Sequence, residues 1–575
     1  MIEGAAVVEA LAQRWPWPTP ADPALDGALA YLRASVDAPT LERAARAAGT
    51  LVGVVGAVLG MVAGVATTPR WGVVAAATGV AVGAGVPLAA NRGPRLAARL
   101  ARTRALGSAA ALVGRAALCL RIDPTVERAA AFAARTGCGV LARSLDGHVS
   151  RAAGTPGNGF DGFAEEWSES FPALSRAVSR LEAAAAAPPD ERERHLDRAV
   201  SAALDGAREE LAAFTSEIRG PVTGLYAFGI LLPLALVGVL PAARATGARI
   251  PLAVIVVLYD VVLPVVVVGA GAWLLARRPV AFPPPRIGTS HPETPDGPVP
   301  ALGAGVVAGA GGGVVATRVV APWAAPIVGV GLGVGTALVV RFHAANEVRK
   351  RVRAVESDLD DALYLIGRRV AAGEAVESAL GGAARRIEGA TGDLLDEAVR
   401  RQQRLGLTVT AAFRGDGGPS NGLPSRRTEE MVTLVGLAAT EGEPAGDALV
   451  ATAEHVEELG RVERTARREL STVTDTLANT AAVFGPLVGG ATVALSARVA
   501  HTGTSAGFGA APLPTGALGV AVGAYVLWLA AALTTLSTGL THGLDRTLVG
   551  YRVGAALCLA TLAYLAAYVG ASVFL

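Results

Sequence analysis

The sequence predicts an all-α, polytopic membrane protein with about nine transmembrane helices and two helical-bundle domains in tandem outside the membrane. Three observations lead there. Apolar residues make up 52% of the chain and charged residues only 17%, with mean hydropathy +0.44, whereas soluble domains carry about 25% charged residues. Runs of about 17–25 apolar residues, long enough to cross roughly 30 Å of hydrocarbon, fall near 50–66, 71–90, 222–243, 250–276, 301–317, 323–340, 476–498, 514–537 and 551–575. Between them lie two long polar stretches in which Ala, Leu, Arg and Glu recur at helical period, with no strand-like alternation.

Taken in order, residues 1–48 read as an N-terminal helical segment. It lacks a basic patch followed by an apolar run, so it does not read as a secretory signal, and insertion is expected to begin at an internal span. A transmembrane pair follows at 49–90, then a first helical domain at 91–221 and a second pair at 222–276. Residues 277–300 form a linker whose PVAFPPPRIGTSHPETPDGPVP cannot stay helical. A third pair at 301–340, a second helical domain at 341–475, a fourth pair at 476–537 and a last span at 538–575 complete the chain. Asp123-Pro124 and Ser357-Asp358 read as helix-capping signals in the two soluble domains.

Arginine distribution sets the orientation. Arg92, Arg95, Arg99, Arg102 and Arg104 follow the second span, Arg277 and Arg278 the fourth, and Arg341, Arg349, Lys350, Arg351 and Arg353 the sixth. Loops on the other side are poorer in arginine, with Arg70, Arg318 and the pair Arg244 and Arg249. The N-terminus and both soluble domains are therefore expected in the cytoplasm, with Leu575 outside. The basic arms at 92–104 and 341–353 suit anionic headgroups as well as topology.

The two halves match each other. Trp71 with GVAVGAGV (79–86) parallels Trp323 with GLGVGTAL (331–338), and Ala207-Arg208-Glu209-Glu210-Leu211 parallels Ala466-Arg467-Arg468-Glu469-Leu470. Phe228-Gly229 with Pro233 parallels Phe484-Gly485-Pro486. Each half thus reads as two spans, a soluble bundle and two spans, in the same orientation.

A finer repeat runs through the second soluble domain: GEAVESAL (373–380), GLTVTAAF (406–413) and GEPAGDAL (442–449). Gly ends one helix in the left-handed conformation, a short turn follows, and Ala-Leu or Ala-Phe opens the apolar stripe of the next helix. Three such hairpins predict about six helices, and 354–475 is expected to fold by itself.

The pattern DALYLIGRRVAAGEAVESAL…EGEPAGDALVATAEHVEELGRVERTARREL, followed directly by a span, resembles the type II secretion F domain, found in the membrane platforms of type II secretion systems, type IV pili, Tad pili and archaella. The first half, with GCGVLARSL, FAEEW, FPAL, LYAFGILLPLAL and RPVAFPPP, resembles the haloarchaeal pilus-assembly branch. That resemblance implies a platform in the cell membrane that binds a cytoplasmic secretion ATPase and couples it to extraction of pilin-like subunits. It implies no enzymatic activity of its own, contact with membrane lipids, and self-association as an option. The alternative is a transporter or channel subunit, which should line a path with several polar intramembrane residues.

The residues themselves suggest no catalytic, cofactor or metal site. The only lysine, Lys350, lies in EVRKRVR rather than in a phosphate-binding loop. The glycine-rich GAGVVAGAGGG (303–313) lies within a span, where it suits close helix packing. Cys119, Cys138 and Cys558 share no close spacing. A net charge of +2 points to no particular partner, and no nucleic acid is expected. Arg400, Arg401, Arg404, Glu441 and Glu443 are candidate partner-binding residues near the hairpin turns. The run Glu454–Glu469 reads as a solvated helix face or a docking face. Asp260 is the one acid central to a span. It reads either as an intramembrane functional group or as a hydrogen-bonding group that satisfies backbone freed by Pro264. Asn479, Pro233 and Pro486 read as shaping helices.

Overall fold

A computed structural model of the chain describes residues 8–19, 22–32, 34–66, 80, 83–95, 97–98, 108–137, 139–155, 157–169, 171–233, 235–236, 238–239, 252–277, 297, 299–441, 444–503 and 515–574. The regular structure among the described residues is helical, without strands. The chain divides into two units, Met1–Arg104 and Ala105–Leu575.

In the first unit, α1 (Pro23–Tyr31) starts with Pro23 behind Asp22, whose carboxylate accepts from the Ala24 and Leu25 amides at 3.0 and 3.3 Å. The amide of Ala38, at the start of α2 (Ala38–Ala66), donates to Asp26 at 3.0 Å. Helical residues 83–95 pack against α2 through glycine: a Cβ on Gly83 would meet Gly53 Cα at 2.6 Å. Asn91 reaches Glu42 at 2.9 Å, and Arg95 pairs with Asp22. The predicted span 50–66 falls within α2. Of the span 71–90 only residues 80 and 83–90 are described, so Trp71 lies outside.

The second unit opens with a six-helix bundle: α3 (Ala109–Ile122), α4 (Val126–Thr136), α5 (Val140–Ala152), α6 (Phe160–Ser168), α7 (Pro172–Ala186) and α8 (Pro189–Tyr226). Its core gathers Leu120, Leu145, Phe160, Phe163, Trp167, Phe171, Leu174 and Leu196. A second six-helix bundle comprises α13 (Leu359–Ala371), α14 (Val376–Ala384), α15 (Gly389–Leu405), α16 (Val409–Arg414), α17 (Arg426–Glu441) and α18 (Pro444–Asn479), around Leu363, Ile366, Leu395, Phe413 and Val435. In both bundles a long last helix, of 38 and 36 residues, follows five shorter ones.

The two capping signals mark boundaries but cap nothing. Asp123 closes α3 and spends its side chain on Thr125 and Arg128. Ser357 Oγ lies 2.9 Å from Ala354 O and 2.8 Å from Asp358 Oδ2, and neither side chain reaches the free amides of α13.

The bundles are not separate bodies, as the domain boundaries had suggested. Leu118 of α3 sits in the second core, and Arg115–Glu430 and Arg208–Glu458 join across the seam. His455 of α18 faces Arg121 and Asp197 of the first bundle, and burial beside the Arg121 charge lowers its pKa from 6.5 to about 4. The unfolded chain therefore takes up this proton first as pH falls, so the contribution is complete above pH 6.5 and is lost between there and about 4. Between pH 7 and 5 the loss is expected to be about 1–2 kcal/mol. Unfolding of wild type and His455→Gln across that range checks it; identical pH slopes would contradict it.

Among the described residues six helices are long and apolar enough to cross a membrane: Val254–Arg277, Val299–Val319, the apolar part of Pro322–Ala371, Thr474–Arg498, Thr515–His542 and Arg546–Phe574. The first joins Leu252–Val256 (α9) and Leu263–Arg277 (α10), and the others include α11 (Val299–Val319), α12 (Ala325–Glu356), α19 (Gly485–Gly503), α20 (Thr515–His542) and α21 (Arg546–Phe574). Their outer faces leave Val265, Val306, Val307 and Leu562 exposed, as lipid contact requires. α20 overruns the predicted boundary at 537 to His542, where Gly543 turns at φ +87° and Asp545 caps α21 through the Thr547 and Leu548 amides.

Three π-helical segments are described, Ala227–Leu231, Val257–Val262 and Thr480–Phe484, each ending two residues before a proline: Pro233, Pro264 and Pro486. Proline has no amide hydrogen and its ring collides with the carbonyl four residues back, so the helix widens by one residue there instead of breaking. As a result α8 and α18 run on from the polar bundles into apolar helix, with no stop at the predicted boundaries 221 and 475.

Glycine brings the apolar helices together. α11 and α12 meet where a Cβ on Gly309 would lie 2.7 Å from Gly329 O, and α12 meets α21 where one on Gly335 would lie 2.9 Å from Gly554 O. At one end of this assembly Trp323 packs edge-on against Tyr568 at 5.1 Å. At the other, Arg349 of α12 meets Asp545 of the α20–α21 turn, and Arg467 and Asp475 of α18 lie within electrostatic range of Arg552.

Candidate functional site

The hairpin turns of the second bundle share one end. α13 starts just after Glu356, the last residue of α12. Thr391 in α15 donates to Val355 O at 2.7 Å, and Ser425, before α17, to Glu356 at 2.7 Å. These three helices therefore leave from the membrane-side end, and their far ends carry the turns. After α13, Gly373 adopts φ +85° and its amide bonds Val370 O while that of Glu374 bonds Arg369 O, which satisfies the last carbonyls of the helix. After α15, Gly406 adopts φ +62°, its amide bonds Gln402 O, and Thr408 caps α16. α17 ends at Glu441, and the start of α18 lies against Ala371, where Gly446 leaves no room for a side chain. The repeat residues Ala379-Leu380, Ala412-Phe413 and Ala448-Leu449 are all 2% exposed or less, as the motif requires.

The candidate residues divide into different roles at this end. Arg400 is exposed and pairs on its own helix with Asp396 at 3.0 Å and Glu397 at 2.8 Å. Arg401 donates to Asp416 O at 2.7 Å and Gly417 O at 2.8 Å, which fastens the loop after α16 rather than offering a free cation. Arg404 is exposed and bonds to no described residue. Glu441 closes α17, and Glu443 lies outside the described residues. Beside Gly373, Glu374 is held by Ser378 at 2.6 Å and lies 3.4 Å from Arg369. This end thus presents the turns at Gly373 and Gly406, flanked by charges of both signs.

The run Glu454–Glu469 is part solvated helix face and part contact with neighbouring helices of the chain. Arg461 pairs with Glu457 and Glu458 on the helix surface, while Glu458 and Glu463 also bind Arg208 and Arg427 of neighbouring helices. Ser144, His148 and Glu166 meet in the first bundle, yet Glu166 accepts from Ser144 at 2.7 Å and contacts His148 at 2.8 Å. The carboxylate stands between hydroxyl and ring, so the histidine is not placed to take the serine proton.

Asp260 lies in the second π segment and borders a groove of about 450 Å³ with Val256, Trp323, Gly516, Ala517 and Val520. No described residue donates to its carboxylate. Two tyrosines satisfy backbone around Pro233, a different proline from the Pro264 that follows Asp260. Pro233 leaves Gly229 O without its helical donor, and Tyr525 Oη donates there at 3.2 Å. Tyr259 Oη donates to Pro233 O at 2.6 Å. The sequence signal for this was the pairing of a tyrosine with a proline-bearing span, which does not reveal which carbonyl is served.

Also unforeseen is the fully buried Arg349, whose Nη2 donates to Thr547 Oγ1 at 2.8 Å and lies 3.2 Å from Asp545. No family model, curated protein or solved structure matches this chain.

Proposed function

We propose that this protein is the cell-membrane platform of a type II secretion or type IV pilus-like assembly machine, coupling a cytoplasmic secretion ATPase to the extraction and polymerisation of pilin-like subunits. The observation that carries this reading is mechanical. Each bundle ends in a helix of 38 or 36 residues that enters the apolar layer without interruption and meets a π segment and a proline there. A 36-residue helix spans about 54 Å. A displacement imposed at the hairpin turns reaches the apolar helices along such a lever, and the π segment is where it bends.

The internal duplication belongs to the same proposal. It is supported by the matching order of five short helices and one long one, by the shared π-proline junction, and by glycine-packed helix hairpins ahead of each bundle. The remaining three spans, at 50–66, 71–90 and 222–243, bring the six apolar helices to nine, with the N-terminus and both bundles cytoplasmic. A transporter or channel would need a polar path, and the groove at Asp260 is bordered by apolar and small side chains. The platform reading is therefore preferred.

Two experiments test it. Tags at 150, 290 and 415 are expected to report cytoplasmic and tags at 246, 505 and 575 external; a cytoplasmic 575 would remove a span. Combined reversal of Glu374, Arg400 and Arg404 is expected to reduce surface filaments roughly tenfold at unchanged protein level, the scale of losing complementary charge at an interface. Undiminished filaments would remove this end of the bundle as the coupling face.

A further inference from the structure

We propose that a phosphate-bearing anion binds where α12, α18 and α21 converge, held by Arg353 and Arg552 above the buried guanidinium of Arg349. Arg349 is 1% exposed, and only its Nη2 is bonded; Nε and Nη1 have no partner. Asp545 meets this guanidinium through Nη2 alone, and the Oδ1 it offers there also accepts from the Thr547 amide at 2.8 Å, the Thr547 hydroxyl at 2.6 Å and the Leu548 amide at 3.1 Å. A buried guanidinium with two unused nitrogens is costly unless an acceptor reaches it.

More cations surround it. Arg353, Arg467 and Arg552 lie within electrostatic range of one another, and Arg353 and Arg552 within range of Arg349. The acids facing them are Glu356, Glu463, Asp475 and Asp545. Glu463 is taken by Arg427 and Arg467, and Glu356 accepts from Ser425. Five arginines thus meet four carboxylates. Arg353 and Arg552 form no ion pair with a described residue; Arg552 reaches only the ring nitrogen of His542, at 3.5 Å. Unpaired like charges at this spacing repel, and an anion that bridges them removes the repulsion. Guanidinium forks match the oxygens of a phosphate.

The cluster lies on the polar continuation of α12 and in the first turns of α21, on the side of the apolar layer where anionic headgroups are reachable by arginine. A phospholipid headgroup and free inorganic phosphate offer the same chemistry, and the test separates them. This proposal does not depend on the platform function.

Full-length protein in neutral detergent would be titrated with phosphatidylglycerol or phosphatidylcholine and bound lipid counted by native mass spectrometry. A parallel calorimetric titration would use inorganic phosphate. Wild type is expected to favour phosphatidylglycerol, and Arg353→Gln and Arg552→Gln each to weaken it about fivefold, about 25-fold together. Arg404→Gln, on the far end of the bundle, should leave binding unchanged. Phosphate heat that vanishes in the double variant identifies free phosphate as a ligand of the same site; phosphatidylglycerol selectivity without phosphate heat identifies the lipid. Equal retention of both lipids without phosphate heat would overturn the proposal, as would a folded double variant that binds like wild type.

Discussion

Gly335→Leu is expected to destabilise the membrane domain by about 3 kcal/mol or more, while Gly303→Leu changes it by less than about 0.5 kcal/mol. Both replacements add the same apolar side chain to helices of the same layer, so hydropathy and insertion are matched. The surroundings differ. A Cβ on Gly335 would meet Cys558 Sγ at 2.6 Å, Gly554 O at 2.9 Å and the Cys558 amide nitrogen at 3.2 Å, whereas Gly303 has no atom within 4 Å. Backbone of α21 cannot yield as a flexible side chain does, so α12 and α21 must separate along their length. Without a hydrophobic drive between helices in lipid, that close contact is what holds them. Unfolding in a denaturing-detergent titration distinguishes the two variants; equal stability would mean that the α12–α21 crossing is not built on glycine.

Arg349→Leu is expected to cost about 3–5 kcal/mol, the range for removing one partner of a buried ion pair. It leaves Asp545, whose side chain is 13% exposed, without its cation, and Thr547 Oγ1 without its donor. The turn between α20 and α21 then loses its tie to α12. The double variant Arg349→Leu with Asp545→Asn should recover part of the loss, because the neutral amide still caps α21 while no charge is stranded. Additive losses in this cycle, measured in the same titration, would show that the pair contributes nothing by itself.

Much of this architecture is legible in the sequence because the signals are local. The Gly-x5-Ala-Leu spacing located the turns at Gly373 and Gly406, since positive φ and a buried small residue are properties of a few adjacent positions. Hydropathy located the apolar helices for the same reason. The boundaries at 221 and 475 were not real stops: helical period persists through both, and a proline that normally ends a helix is absorbed by a π segment. Contacts between distant positions left no trace. Arg349 and Thr547 are 198 residues apart, and Leu118 enters a core otherwise built from residues 355–453. That shared core is why the stretch 354–475, expected to fold by itself, would expose an apolar face if excised.

The candidate docking end was legible as composition and not as chemistry. Arg400, Arg401 and Arg404 look alike in sequence, but one is paired within its helix, one fastens a loop, and one is unengaged among the described residues. Asp260 was legible as an anomaly within an apolar span, and its place in a π segment two residues before the end of that segment was not. Tyr525 and Tyr259, which bond the carbonyls around Pro233, carry no signature of that in sequence.

The central claim is that the far end of the second bundle receives a motor. It is tested most directly by the affinity of the full-length protein, held in a lipid nanodisc, for the secretion ATPase encoded nearest to it in its genome. The account predicts a Kd of about 10 μM or tighter, weakened at least about tenfold when Glu374, Arg400 and Arg404 are reversed together and unchanged by Asp260→Asn. Absence of binding to any secretion ATPase of that genome, or binding indifferent to the triple reversal, would contradict it.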